Sequence, residues 1–204
     1  MSRTEIKFAG FGGQGIGRAG YVLGKAIAGK RDDLVITSKV WTPVGDGPND
    51  RGLSRFHILR EVERTLTKLD TDRIDIYYMH RVDPETDLDE TLRTMEDLVR
   101  QGKILYWGTS VWEAAQIEWA VGDATRLNSY LPAVEQPRYN MLDRRSVERD
   151  LVPLFQNVGL GTTVFSPLAQ GILTGKYNDH VPADSRAGNA GEQWVKDTLT
   201  DDVL

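Results

Sequence analysis

Short apolar runs alternate along the chain with longer segments whose apolar residues recur every three or four positions. The short runs predict strands at residues 5–9, Leu34–Val40, Ile74–Met79, Ile104–Trp107, Pro132–Gln136 and Gly161–Phe165. The spaced stripes predict helices between them. One runs from about Arg18 to Ala28. A second follows Ser54, a residue suited to cap it, and carries Ile58, Leu59, Val62, Leu66 and Leu69. A third opens at Thr86 or Asp87, carries Leu88, Leu92, Met95 and Val99, and stops near Gly102. A fourth spans Trp112 to about Val121, and a fifth carries Val147, Leu151, Leu154 and Val158 before Gly159. Trp41 to Arg51 is a loop punctuated by Pro43, Gly45, Gly47 and Pro48. Beyond Gly171 the chain is loop-rich, with one last helical piece at Trp194, Val195 and Leu199.

Repeated strand–helix units favour an α/β fold with a parallel sheet, open or closed into a (β/α) barrel. No linker interrupts the pattern, so residues 1–204 read as one domain, with an atypical Gly-rich segment at 1–21. The predicted strands end in polar groups: Thr37-Ser38-Lys39, Met79-His80-Arg81, Gly108-Thr109-Ser110, Glu135-Gln136 and Phe165-Ser166-Pro167. In parallel α/β proteins the strand C-termini converge on the ligand face. Five such ends in order predict one site, and Lys39 and His80 are its two proton-handling members.

Composition narrows the function. The chain has 25 Lys and Arg against 30 Asp and Glu and a net charge of −5, which argues against general nucleic-acid binding. Trp112, Trp119 and Tyr130 stand among Glu113, Glu118 and Asp123, so they suit helix packing better than base stacking. Cysteine is absent, which removes disulfides, thiolate nucleophiles and cysteine metal sites. His57 and His180 show no metal-ligand spacing, and no metal is expected. No apolar run is long enough to cross a membrane and the first residues lack a secretory apolar core, so a cytoplasmic protein is expected.

From Val22 to about Arg186 the chain resembles the aldo-keto reductases, and most of all the branch that includes the potassium-channel beta subunits. The residues that carry the resemblance are Leu23-Gly24-Lys25-Ala26, the Thr37-Ser38-Lys39 strand end, and Gly47-Pro48-Asn49-Asp50-Arg51-Gly52-Leu53-Ser54. They continue with Asp75-Ile76-Tyr77-Tyr78-Met79-His80-Arg81-Val82-Asp83-Pro84, Gly102-Lys103-Ile104-Leu105-Tyr106-Trp107-Gly108-Thr109-Ser110, Gln136, Tyr139-Asn140 and Phe165-Ser166-Pro167-Leu168-Ala169-Gln170-Gly171. Their order and spacing make the match specific.

The resemblance implies a (β/α)8 TIM barrel that reduces aldehydes and ketones with NADP(H). Eight strands are needed to close such a barrel. About six are predicted here, so the expectation is an incomplete barrel lacking family elements at both ends, whose exposed edges favour a homo-oligomer. The family site uses Asp, Tyr, Lys and His. Lys39 and His80 match the Lys and the His. The family's Asp and Tyr precede the Leu-Gly-Lys-Ala helix, where this chain has Phe8-Ala9-Gly10-Phe11-Gly12-Gly13-Gln14-Gly15-Ile16-Gly17, and Tyr21 is too close to Leu23 to match. Turnover is therefore expected to be impaired. The resemblance also implies Ser110 and Gln136, with Asn140, for the nicotinamide amide, and Phe165 for its ring. Ser166, Leu168 and Gly171 follow along the pyrophosphate path, and Lys176, Ser185 and Arg186 toward the phosphates and adenosine.

Residues Phe8 to Ile16 resemble instead the start of the gamma subunit of 2-oxoacid:ferredoxin oxidoreductases. The Gly-rich loop fits a dinucleotide pattern loosely and suits either a phosphate cradle or a tight turn. Four readings remain: an NADP(H)-dependent carbonyl reductase acting on a small molecule, a non-catalytic interaction or regulatory subunit, a subunit of a 2-oxoacid:acceptor oxidoreductase, and an incomplete product without activity.

Overall fold

The computed structural model describes residues 4–5, 23–189, 195 and 199. Two short strands, β1 (Thr4–Glu5) and β2 (Leu34–Val35), pair in parallel as a separate sheet, and a helical stretch at 23–27, α1, lies between them in sequence. Five further strands follow: β3 (Thr37–Val40), β4 (Ile74–Met79), β5 (Ile104–Ser110), β6 (Val134–Gln136) and β7 (Gly161–Thr162). They form one all-parallel sheet in the order β3-β4-β5-β6-β7. The crossovers hold α2 (Arg55–Leu69), α3 (Leu88–Arg100), α4 (Ala114–Arg126) and α5 (Val152–Asn157). A doubly wound sheet reverses its strand order at a switch point, whereas parallel strands laid down in unbroken order wind as a (β/α) barrel. The fold is α/β, part of a TIM-type barrel.

The helices form because each presents one apolar stripe to the sheet. Ile58 and Val62 of α2, Leu92, Met95 and Leu98 of α3, and Ile117, Ala120 and Ala124 of α4 are buried against Val40, Tyr77, Met79 and Trp107 of the strands. Each large apolar side chain buried there stabilises the fold by about 2 kcal/mol. The caps match the sequence signals. Ser54 accepts the amide of His57 at 3.3 Å, and Asp87 that of Asp89 at 2.8 Å. Gly102, just past α3, has φ +71°, a conformation open to glycine at little cost. Side chains alternate along a strand, so with Tyr77 and Met79 in the helix-side core, Tyr78 and His80 face the other way.

The structure differs from the sequence pattern in several places, and β5 runs three residues past the predicted Trp107, to Ser110. The run Leu34–Val40 is two strands, because Ile36 leaves the ladder and donates its amide to the Asp75 carboxylate at 2.7 Å. Arg31 pairs with that buried carboxylate at 2.8 Å. Helix α4 starts at Ala114, two residues late, and reaches Arg126; Trp112 is core, Glu113 and Gln116 form the capping box, and Ala120 and Ala124 prolong the apolar stripe. The stripe from Val147 is a π-turn at Ser146–Asp150 followed by the short α5, whose Pro153 has no amide to continue a regular ladder. The last strand stops at Thr162, and Phe165 makes only an isolated parallel bridge to Arg138. The predicted strand beyond Glu5, the Gly-rich loop, the helix start at Arg18, Tyr21 and Trp194 lie outside the described residues.

Candidate functional site

Lys39 and His80 sit at the C-terminal ends of β3 and β4, with Lys39 registered against Tyr78 and the His80 amide bonded to the Val40 carbonyl at 3.0 Å. Burial, then the nearby Arg81 charge, holds the Lys39 ammonium below its ordinary range. Burial, then Arg81 and Lys39, brings the His80 imidazole down to about 4, so the ring is neutral at pH 7. Its Nδ1 lies 3.1 Å from the Thr42 hydroxyl, and the Trp41 ring stands edge-on at 6.5 Å between centroids. If Thr42 donates, the proton rests on Nε2. The Lys39 ammonium lies 6.0 Å from the Tyr78 ring centroid. That phenol is fully buried, and its hydroxyl shares a 2.8 Å hydrogen bond with Thr163.

Ser110 and Gln136 are register partners at the ends of β5 and β6, both buried. The Ser110 hydroxyl donates to the Gln136 carbonyl at 3.2 Å. The Gln136 amide donates to Thr163 at 3.2 Å, so Tyr78, Thr163 and Gln136 form a chain across three strand ends. Arg81 donates to the His80 carbonyl at 2.6 Å and reaches that of Ser110 at 3.5 Å, which ties β4 to β5. Asn140 continues from β6 and donates to the Ser166 carbonyl at 3.1 Å. Gln170 bonds the Ser166 hydroxyl with its amide nitrogen and Arg186 with its amide oxygen.

The remaining predicted residues form the outer part of this loop cluster. Phe165 is half-buried and Leu168 is exposed. Gly171 has φ +102°, and a Cβ there would fall 2.5 Å from Lys176 Cε, so the Lys176 side chain lies across its backbone. Lys176 Nζ also stands 4.9 Å from the Tyr177 ring centroid. Ser185 is occupied locally: its hydroxyl donates to the Pro182 carbonyl at 2.6 Å and accepts the Gly188 amide at 3.2 Å.

Sequence reasoning missed four contributors here: Arg81, Tyr78, Thr163 and Glu135. Arg81 and Glu135 stood in the strand-end tripeptides beside His80 and Gln136, so a signal existed. Glu135 is fully buried, and burial raises its carboxyl to about 7 against the pull of Thr109, the amides of Val111 and Trp112, and Arg81. The backbone marks the same face. Among the described residues, the non-glycine residues with positive φ are Asp70, which caps α2, Asn128, which follows α4, and Trp41, Val111, Ser166, Ala169 and Gln170. The last five all lie in loops after β3, β5 and β7, and strained backbone concentrates at functional sites.

Comparison with known proteins agrees with this geometry. The aldo/keto reductase family model matches residues 15–201, and the chain belongs to that family. A probable voltage-gated potassium channel subunit beta of Arabidopsis thaliana is 46% identical over 193 residues, which cover 92% of this chain and 58% of the relative. The rice protein with the same description (Oryza sativa subsp. japonica) is 44% identical over 193 residues, with the same coverage of both chains. A putative voltage-gated potassium channel subunit beta of Schizosaccharomyces pombe is 45% identical over 174 residues, 83% of this chain and 51% of the relative. The chain thus spans between half and three fifths of the length of the curated relatives it matches. No helix among the described residues is long and apolar enough to cross a membrane.

Proposed function

We propose that this chain carries the nicotinamide and carbonyl end of an NADP(H)-dependent aldo-keto reductase site, with weak or absent turnover. The observation that supports it most is the gathering of Lys39, His80, Ser110 and Gln136 at the ends of four adjacent parallel strands. The donor set suits the group. A carboxamide needs both donors and acceptors, which the Ser110 hydroxyl and the Gln136 and Asn140 amides supply together. Phe165 offers the flat apolar surface that the ring needs. Ser166, Leu168 and Gly171 would line the pyrophosphate path, and Lys176, Ser185 and Arg186 the phosphate and adenosine side. The bound nicotinamide supplies the hydride. His80, neutral at pH 7, holds the substrate carbonyl oxygen through an imidazole N–H, and Lys39 sets the field around it.

Among the described residues, no proton donor of the right kind stands at the site. Residues 8–20 contain neither Asp nor Tyr. The Tyr78 phenol, beside Lys39, is fully buried and bonded to Thr163. A positioned acid is worth roughly 10²–10⁴-fold in rate. NADPH oxidation with a reactive aromatic aldehyde is therefore expected to run about 10²-fold or more below a complete family enzyme. A rate near the family's, abolished by Tyr78→Phe, would make Tyr78 the acid and overturn the impairment.

A second reading is favoured by the names of the three relatives above, each described as a probable or putative voltage-gated potassium channel subunit beta. On it the chain is a cytoplasmic interaction subunit in which the nucleotide serves recognition. Stable capture of a channel cytoplasmic domain, with no aldehyde-dependent oxidation, is the result that separates it.

A further inference from the structure

We infer that Glu135 is a positioning residue, which moulds the β5 end so that Ser110 faces the nicotinamide site. The inference rests on the proposed cofactor reading for its ligand and on the geometry for its mechanism. The Glu135 carboxylate accepts the Thr109 hydroxyl at 2.5 Å on one oxygen and the Val111 amide at 2.6 Å on the other. Thr109 and Val111 thus each bond one carboxylate, and the residue between them, Ser110, bonds instead toward Gln136.

The mould is needed because of Val111. Its φ is +58°, the left-handed region that a β-branched side chain resists. Its own side chain is exposed and packs too little to hold that conformation. The hold comes from the amide, which is bonded to Glu135 and also directed at the Gln136 carbonyl at 3.3 Å. Were Val111 to relax to an ordinary conformation, the turn would carry Ser110 with it, along with the Ser110 carbonyl that Arg81 reaches. Once ionised, above about pH 7, the carboxyl gives the Thr109 hydroxyl and the Val111 amide an oxygen each. A glutamine sets an NH2 group against one of these two donors, and it keeps both contacts only where the Thr109 hydroxyl reverses and accepts.

The test uses Glu135→Gln alone and combined with Val111→Gly, on the full chain. Glycine adopts the left-handed conformation without strain, so it should remove the need for the carboxylate. Two readouts are followed: amide hydrogen exchange at Val111 and Trp112, and NADPH affinity from tryptophan quenching. Glu135→Gln is expected to speed exchange at residues 111 and 112 and to weaken NADPH binding, each about tenfold. Adding Val111→Gly should restore the affinity, a rescue that a merely structural role for Glu135 does not give. Wild-type exchange in Glu135→Gln, or no rescue by Val111→Gly, overturns the inference. If wild type itself ignores NADPH, the cofactor reading fails, while the exchange data still decide whether Glu135 holds the turn.

Discussion

Gly108→Ala is expected to unfold or severely weaken the protein. Gly108 sits in the middle strand of the five, in register with Val134. A Cβ at this position would fall 2.2 Å from the Val134 carbonyl oxygen and 2.7 Å from Val134 Cγ1. The first contact is with backbone, which cannot turn aside as a flexible side chain can. The strands must separate, and the register that aligns Ser110 with Gln136 goes with them. A cost of about 3 kcal/mol or more is expected, a large share of a typical domain's total stability. Gly122, inside α4, is the control: a Cβ there meets nothing within 4 Å, and alanine should be neutral or stabilise by up to about 1 kcal/mol. Urea unfolding of the two variants checks the pair. Wild-type stability in Gly108→Ala would mean that β5 and β6 are not packed as described.

The second large effect is on pH dependence, where Glu135 and His80 act in opposite directions. Burial holds Glu135 up to about 7 in the fold, against 4.5 for an ordinary glutamate. Between those values the unfolded chain has lost a proton that the fold keeps, so stability falls as pH rises from 4.5 to 7. The shift corresponds to about 3 kcal/mol. His80 is held down to about 4 from 6.5. Between those values the unfolded chain binds a proton that the fold does not, so stability rises with pH. From pH 4.5 to 6.5 the two slopes oppose each other. Glu135→Gln removes the falling one, and its stability relative to wild type should climb by up to about 3 kcal/mol between pH 4.5 and 7. His80→Gln should drift the other way. A constant offset in either variant would reflect lost hydrogen bonds alone, and a flat difference across this range would contradict the burial of that group.

The sequence pattern carried the barrel winding because each strand–helix unit announces itself twice, in its period and in its caps. Ser54, Asp87 and Gly102 stand where the chain enters or leaves a helix. The pattern placed Lys39, His80, Ser110 and Gln136 at strand ends because polar groups ending apolar runs are unusual, while the cofactor roles proposed for Ser110 and Gln136 come from the family resemblance. Glu135 stood in the same strand end as Gln136, but its part in the turn did not show. Alternation sends it to the other face of β6, and a buried carboxylate leaves no trace in periodicity. The left-handed residues Trp41, Val111 and Ser166 were invisible for a related reason: none is the glycine or asparagine that marks such a turn, and tertiary hydrogen bonds impose their conformations. Phe165 read as strand because its neighbours are apolar, yet the ladder ends at Thr162.

The cofactor reading is tested most directly by titrating the protein with NADPH while following tryptophan emission, since the Trp41 ring stands edge-on to His80. Saturable quenching with a dissociation constant in the micromolar range, weakened about tenfold or more by Gln136→Ala, is the predicted result. No saturable change up to millimolar NADPH, or binding that Gln136→Ala and Ser110→Ala both leave intact, would contradict it.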